Sequence, residues 1–140
     1  MINVWSYLDE YEIEKDEINS AISTVLESGQ LILGPQVKKF EEDFSKRFGS
    51  KYSVGVGNGT DAIFLALKAF DIGAGDEVIT VSNTAVPTVS AITAAGATPV
   101  FVDINPDTYL MDIEQIKLKI TKKTKAVLPV HLYGQTVDID

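Results

Sequence analysis

The sequence has no cysteine, which excludes disulfides and thiolate metal sites. Its single histidine, His131, argues against a histidine-rich metal centre, and no metal site is expected. No apolar run approaches the ~20 residues of a membrane-spanning helix, so no membrane partner is expected. A basic block is also missing. The 12 Lys and Arg residues are scattered among 20 Asp and Glu, for a net charge of −8. Such a charge pattern makes nucleic acid an unsuitable partner. Met1 to Trp5 lacks the basic start and apolar stretch of a signal peptide, and a cytoplasmic protein is the expectation. What the chain does have is core-forming material. It is 45% hydrophobic over 140 residues, enough for one domain with a buried interior.

Periodicity divides the chain into a helical beginning and a strand–helix alternation. Asp16 is a candidate N-cap, followed by Ile18, Ala21, Ile22, Val25 and Leu26 at helical spacing, with Gly29 as the stop. Val37, Phe40, Phe44 and Phe48 mark a second amphipathic helix that ends at Gly49. Strands are expected at Ser53 to Val56, Glu77 to Val81, Pro99 to Ile104 and Lys125 to Val130. Between them lie an amphipathic run from Asp61 to Phe70, a helix from Ala85 to Ala95 with Pro87 in its first turn, and a helix capped by Asp112. Gln115 is spaced to complete a capping box there. Apolar strands alternating with helices predict an α/β fold with a parallel sheet of about four strands, preceded by two helices. The division expected is residues 1–50, a helical arm and interface segment, and residues 51–140, strand–helix repeats.

Ligands of such sheets bind beyond the carboxyl ends of the strands. Those ends are Gly57 to Thr60, Ser82 to Thr84, Asp103 to Ile104, and His131 to Tyr133. The loop Val56-Gly57-Asn58-Gly59-Thr60-Asp61-Ala62 reads as a phosphate cradle, because backbone amides and the dipole of a helix N-terminus favour an anion. Gly57-x-Gly59-x-x-Ala62 also fits a dinucleotide fingerprint, but the second strand ends in Ser82-Asn83-Thr84 without the acidic residue that would hold a ribose. A purely structural turn is the third alternative. Asn83 and Thr84 are candidates for ligand contact or for helix capping. Asp103 is a candidate ligand contact, or a cap for the turn at Asn105-Pro106. His131, beside apolar residues, fits a satisfied structural role more readily than an acid or base. Tyr133 and Gln135 either line the site or pack. Gln30 to Pro35 is an apolar loop that reads as an interface segment. Trp5 to Tyr11, rich in aromatics and acids, reads as a packing arm or a frayed terminus.

Taken in order, several segments resemble the nucleotide-sugar aminotransferases of the DegT/DnrJ/StrS family, fold-type I enzymes that use pyridoxal 5′-phosphate. The resemblance is carried by Leu26-Glu27-Ser28-Gly29, Leu33-Gly34-Pro35-Gln36-Val37, Gly57-Asn58-Gly59-Thr60-Asp61-Ala62, Gly75-Asp76-Glu77-Val78-Ile79, Pro99 to Ile104, and Val130-His131-Leu132-Tyr133-Gly134-Gln135. Asn83-Thr84-Ala85-Val86-Pro87-Thr88 looks most like members that aminate position 3 of a dTDP-linked 3-keto-6-deoxyhexose. The resemblance implies that Gly59, Thr60 and Asp61 hold the cofactor phosphate, with Asn83, Thr84 and Ala85 beside the pyridine ring. Many relatives carry a stacking aromatic where this chain has Ala85. It implies a homodimer, with Gln30 to Pro35 at the interface near the partner's site, and it makes Leu33, Gly34, His131 and Tyr133 substrate-binding. Nucleotide sugar and glutamate are the implied substrates.

The sheet pattern stops at Asp140 soon after the last expected strand, so the chain reads as the N-terminal portion of the fold-type I large domain. The lysine that anchors the family's cofactor, and the acid that pairs with its ring nitrogen, come later in the family order. No catalytic residue is therefore assigned, and the chain alone is expected to be inactive. Lys68, Lys117 and Lys125 are unsuitable as substitutes for that lysine. Competing expectations are a sugar dehydratase of the same family, a truncated binding module and, last, a nicotinamide-dependent oxidoreductase.

Overall fold

The computed structural model describes residues 6–138, which divide after Gly55 into two compact units. The first unit contains two helices, α1 (Tyr7–Ser28) and α2 (Pro35–Phe48). Each ends on a glycine in the left-handed region, Gly29 at φ 68° and Gly49 at φ 66°, a conformation that a Cβ penalises. The predicted start of α1 at Asp16 is corrected: the helix begins nine residues earlier, and Asp16 lies in its interior. Helix-forming Glu, Lys and Leu residues precede Asp16, so a capping side chain there had nothing to terminate. Of the expected arm, Tyr7 to Tyr11 form the first turns of α1, with the two tyrosine rings stacked 5.8 Å apart, whereas Trp5 lies outside the described residues. In α2, Pro35 occupies the first turn, and the Phe40, Phe44 and Phe48 rings follow one another along one face.

The segment 53–56 is not a strand, which corrects the expected count of four to three. The run is short and contains Gly55, whose amide donates to the Glu41 carboxylate at 2.7 Å instead of to a neighbouring strand. Val54 remains exposed, so the alternation buries nothing.

The second unit runs α3 (Gly59–Ala69), β1 (Glu77–Val81), α4 (Val86–Ala94), β2 (Thr98–Val102), α5 (Ile113–Lys119) and β3 (Thr124–Val127). The sheet is fully parallel in the order β2-β1-β3. Because side chains alternate across a strand, central β1 feeds two cores. Val78 packs with Leu67, Ile72, Ile92, Ala95 and Ala97, joined by Ile63 and Phe64, so α3 and α4 cover one face. Ile79 and Val81 pack with Val102, Met111 and Val137, joined by Ile116 of α5, on the other. Both faces being covered explains why Val78 to Val81 are all buried, Thr80 included.

Two predicted strands are shortened. Expected β2 continued to Ile104, but Asp103 leaves the ladder and Ile104 forms an isolated antiparallel bridge with Met111. Expected β3 continued to Val130. Leu128 still donates to Ile79 at 2.8 Å, but Pro129 has no N–H to extend the ladder. Among the described residues no helix is long and apolar enough to cross a membrane, and no acid or histidine cluster could hold a metal ion.

Candidate functional site

The glycine loop enters α3 through Asn58, an extended residue whose side-chain oxygen accepts from the Asp61 amide at 2.9 Å. Its side-chain nitrogen donates to the Asp61 carboxylate at 3.0 Å. This reciprocal pairing holds the first turn in shape and engages the Asp61 amide. The amides of Gly59 and Thr60, one and two residues past the cap, find no acceptor among the described residues. They are helix N-terminal donors of the kind that an anion satisfies. A Cβ built on Gly59 meets nothing within 4 Å. Half-buried Thr60 adds a hydroxyl. This donor set fits a phosphate monoester such as that of pyridoxal 5′-phosphate.

Asn83 and Thr84 stand directly after β1, and His131 and Tyr133 follow β3. Parallel strands bring both pairs to the same carboxyl edge of the sheet. The capping alternative for Asn83 and Thr84 does not hold. Ala85 is the N-cap of α4, and no side chain caps it. Thr84 instead pairs its hydroxyl with that of Thr88, at 2.8 Å. Ala85 itself is exposed and offers only a methyl group.

His131 is held structurally. Its Nδ1 accepts from the Val137 amide at 3.0 Å, which leaves Nε2 to carry the proton of the neutral ring. Tyr133 is 77% exposed and takes a left-handed φ of 55° within a short 3-10 turn. The Asp103 carboxylate accepts from the Ile104 amide at 2.8 Å but does not hold the rest of the turn that follows. Asn105 does so, accepting from the amides of Asp107 and Thr108. Asp103 serves α5 instead: its amide donates to Gln115 Oε1 and its carbonyl accepts from Asp112. Asp112 does cap α5, through the Glu114 amide, but the capping box is not formed because Gln115 is turned to Asp103 and the Asp112 carboxylate.

Leu33 and Gly34 belong to the first unit. A Cβ on Gly34 would sit 2.7 Å from the Gln30 carbonyl, so only glycine fits that turn. Leu33 is 80% exposed at a left-handed φ of 50°, and Leu31 and Ile32 are exposed beside it.

Three lysines of the second unit are engaged or placed away from the carboxyl edge of the sheet. Lys68 donates from the last turn of α3 to the Ala95 carbonyl, Lys117 pairs with Glu114, and Lys125 is the second residue of β3. Asn58 and Thr88 were not singled out from the sequence. The signal for Asn58 was an Asn three residues before Asp61 at a helix start. For Thr88 it was a second threonine four residues after Thr84.

Residues 12–140 match the DegT/DnrJ/EryC1/StrS aminotransferase family. The chain is 52% identical over 136 residues to the dTDP-3-amino-3,4,6-trideoxy-alpha-D-glucose transaminase of Micromonospora megalomicea subsp. nigra, covering 97% of this chain and 36% of that one. Among solved structures it resembles S. venezuelae DesV in complex with a ketimine intermediate, with a TM-score of 0.91 and 41% identity, covering 96% of this chain and 36% of the other. It also resembles NtdA of Bacillus subtilis with bound cofactor PMP, with a TM-score of 0.85 and 39% identity, over 89% of this chain and 29% of that protein. The chain thus spans about a third of the length of these relatives. A glycine loop that opens α3 with two free amides, a doubly covered parallel sheet and this ordered likeness lead to one conclusion: the chain belongs to the DegT/DnrJ/EryC1/StrS aminotransferase family.

Proposed function

We propose that this chain supplies the phosphate-holding part of a pyridoxal 5′-phosphate site used to transfer an amino group from glutamate to a nucleotide-linked keto-deoxysugar. The observation that carries the reading is the pair of unengaged amides at Gly59 and Thr60, aligned by the Asn58–Asp61 cap. Those amides and the Thr60 hydroxyl hold the phosphate, and the N-terminal dipole of α3 adds to its binding. Asp61 contributes through the cap that shapes the turn. Asn83, Thr84 and Ala85 flank the ring from the β1–α4 turn. His131 and Tyr133 face the sugar, while Leu33 and Gly34 belong to a homodimer surface near the partner's site. The bound cofactor supplies an electron sink for moving the amino group, and the protein positions it. The relative whose name carries a dTDP-3-amino sugar supports amination at position 3.

The chain by itself does not complete the reaction in this reading, in which Lys68, Lys117 and Lys125 are engaged or placed away from the carboxyl edge where the cofactor would sit. The test is a titration of the purified chain with pyridoxal 5′-phosphate, followed by absorbance, with inorganic phosphate as competitor. Saturable binding that phosphate displaces, and that weakens about tenfold in Thr60→Val, is expected; tenfold corresponds to ~1.4 kcal/mol. Binding that is unaffected by phosphate and by the substitution would place the ligand elsewhere. Glutamate-dependent amination of a keto sugar above background by this chain would refute the claim of inactivity.

A further inference from the structure

The Thr84 and Thr88 hydroxyls lie 2.8 Å apart, one on each side of the start of α4. Thr88 is 8% exposed, and Thr84 is half-buried at the carboxyl edge of β1. A threonine inside a helix ordinarily donates to the carbonyl three or four residues back. Thr93 of the same helix does so, to Val89 and Ser90. Thr88 departs from this habit. Its hydroxyl has no partner among the described residues except Thr84 Oγ1, and no buried side-chain polar atom is left unsatisfied. A buried hydroxyl must place its proton on an acceptor. The geometry allows either hydroxyl of the pair to donate, and the burial of Thr88 favours Thr88 as the donor. With that bond accepted, the Thr84 proton does not point back at Thr88 and is available to another acceptor.

We propose that Thr88 is a positioning residue: it orients the Thr84 hydroxyl as a hydrogen-bond donor toward an acceptor oxygen of the ligand at the carboxyl edge of the sheet. The inference rests on the reading of that edge as a pyridoxal 5′-phosphate site. Thr84 lies outside the regular part of α4 and Ala85 provides no side-chain cap, so neither of them fixes the Thr84 rotamer. The buried partner one helical turn on does.

The test compares Thr88→Val, which has the same shape without the hydroxyl, with Thr88→Ser, which keeps it. The first readout is the Thr84 χ1 rotamer in the unliganded chain, from three-bond couplings. The second is the dissociation constant for pyridoxal 5′-phosphate. Thr88→Val is expected to average the Thr84 rotamer and weaken binding about tenfold, while Thr88→Ser retains a single rotamer and wild-type affinity. In a Thr84→Val background, Thr88→Val should cost no further affinity, whereas a merely structural threonine would cost the same in both. A Thr88→Val chain with one Thr84 rotamer and unchanged affinity overturns the inference alone. A wild-type chain that does not bind pyridoxal 5′-phosphate overturns the site reading and the inference together.

Discussion

The Lys68 ammonium donates to the Ala95 backbone carbonyl across 2.7 Å, tying the last turn of α3 to the C-cap of α4. The bond satisfies a carbonyl at a helix end, where the dipole favours a cation. The ammonium also lies 5.9 Å from the Phe64 ring centroid. Lys68→Met keeps the apolar stem and removes the donor. A loss of about 1–2 kcal/mol is expected, read as a lower urea midpoint with an unchanged slope. An unchanged midpoint would show that water serves the carbonyl equally well.

Asn58 links local structure to binding. Asn58→Ala removes the acceptor for the Asp61 amide and should cost ~1 kcal/mol in thermal unfolding. Asn58→Asp retains an acceptor but adds a carboxylate beside that of Asp61. It should unfold near the wild-type temperature while binding inorganic phosphate more weakly. Equal phosphate affinity in Asn58→Asp and wild type would argue against an anion site at this turn.

The His131 ring has a backbone task. Its Nδ1 accepts from the amide of Val137, a residue only 6% exposed within the second core. In His131→Leu that amide loses its acceptor, at a cost of about 1–3 kcal/mol. Hydrogen exchange at Val137 should accelerate at least about tenfold. Retained protection would mean that packing alone secures the 131–137 segment.

On α2, the hydrogen bond from Lys39, reinforced by its charge, holds the Asp43 carboxyl below its ordinary value, and Asp43 in turn raises Lys39. A depressed carboxylate value means that the pair's contribution is present above the unfolded-state value of 3.8. It is lost as pH falls through the lower folded-state value. Both side chains are exposed, so the effect on stability is small. Carboxyl NMR titration should show the Asp43 value rising toward that of an ordinary carboxylate in Lys39→Met. A titration unchanged by the substitution would remove Lys39 as the cause.

Much of this arrangement is local and therefore readable along the chain. The glycine stops at Gly29 and Gly49 depend on a left-handed φ that glycine alone takes cheaply. The parallel α/β order follows from apolar strands alternating with helices. The turn that opens α3 declares itself through two glycines before an amphipathic run. The Asp112 cap is also local, since its partner is two residues away.

Tertiary structure decided what needed a distant partner. Ser53 to Val56 has strand-like composition, yet Glu41 takes the Gly55 amide and no ladder forms. Gln115 is spaced for a capping box, but the Asp103 amide, twelve residues away, competes for its side chain. Thr88 looks like any helical threonine until burial leaves Thr84 as its only outlet. Sequence determined which conformations each segment could adopt, through φ preference and apolar period. Only the fold decided where each polar group sent its hydrogen bonds, because burial removes water as the default partner and leaves the choice to whatever packing brings near.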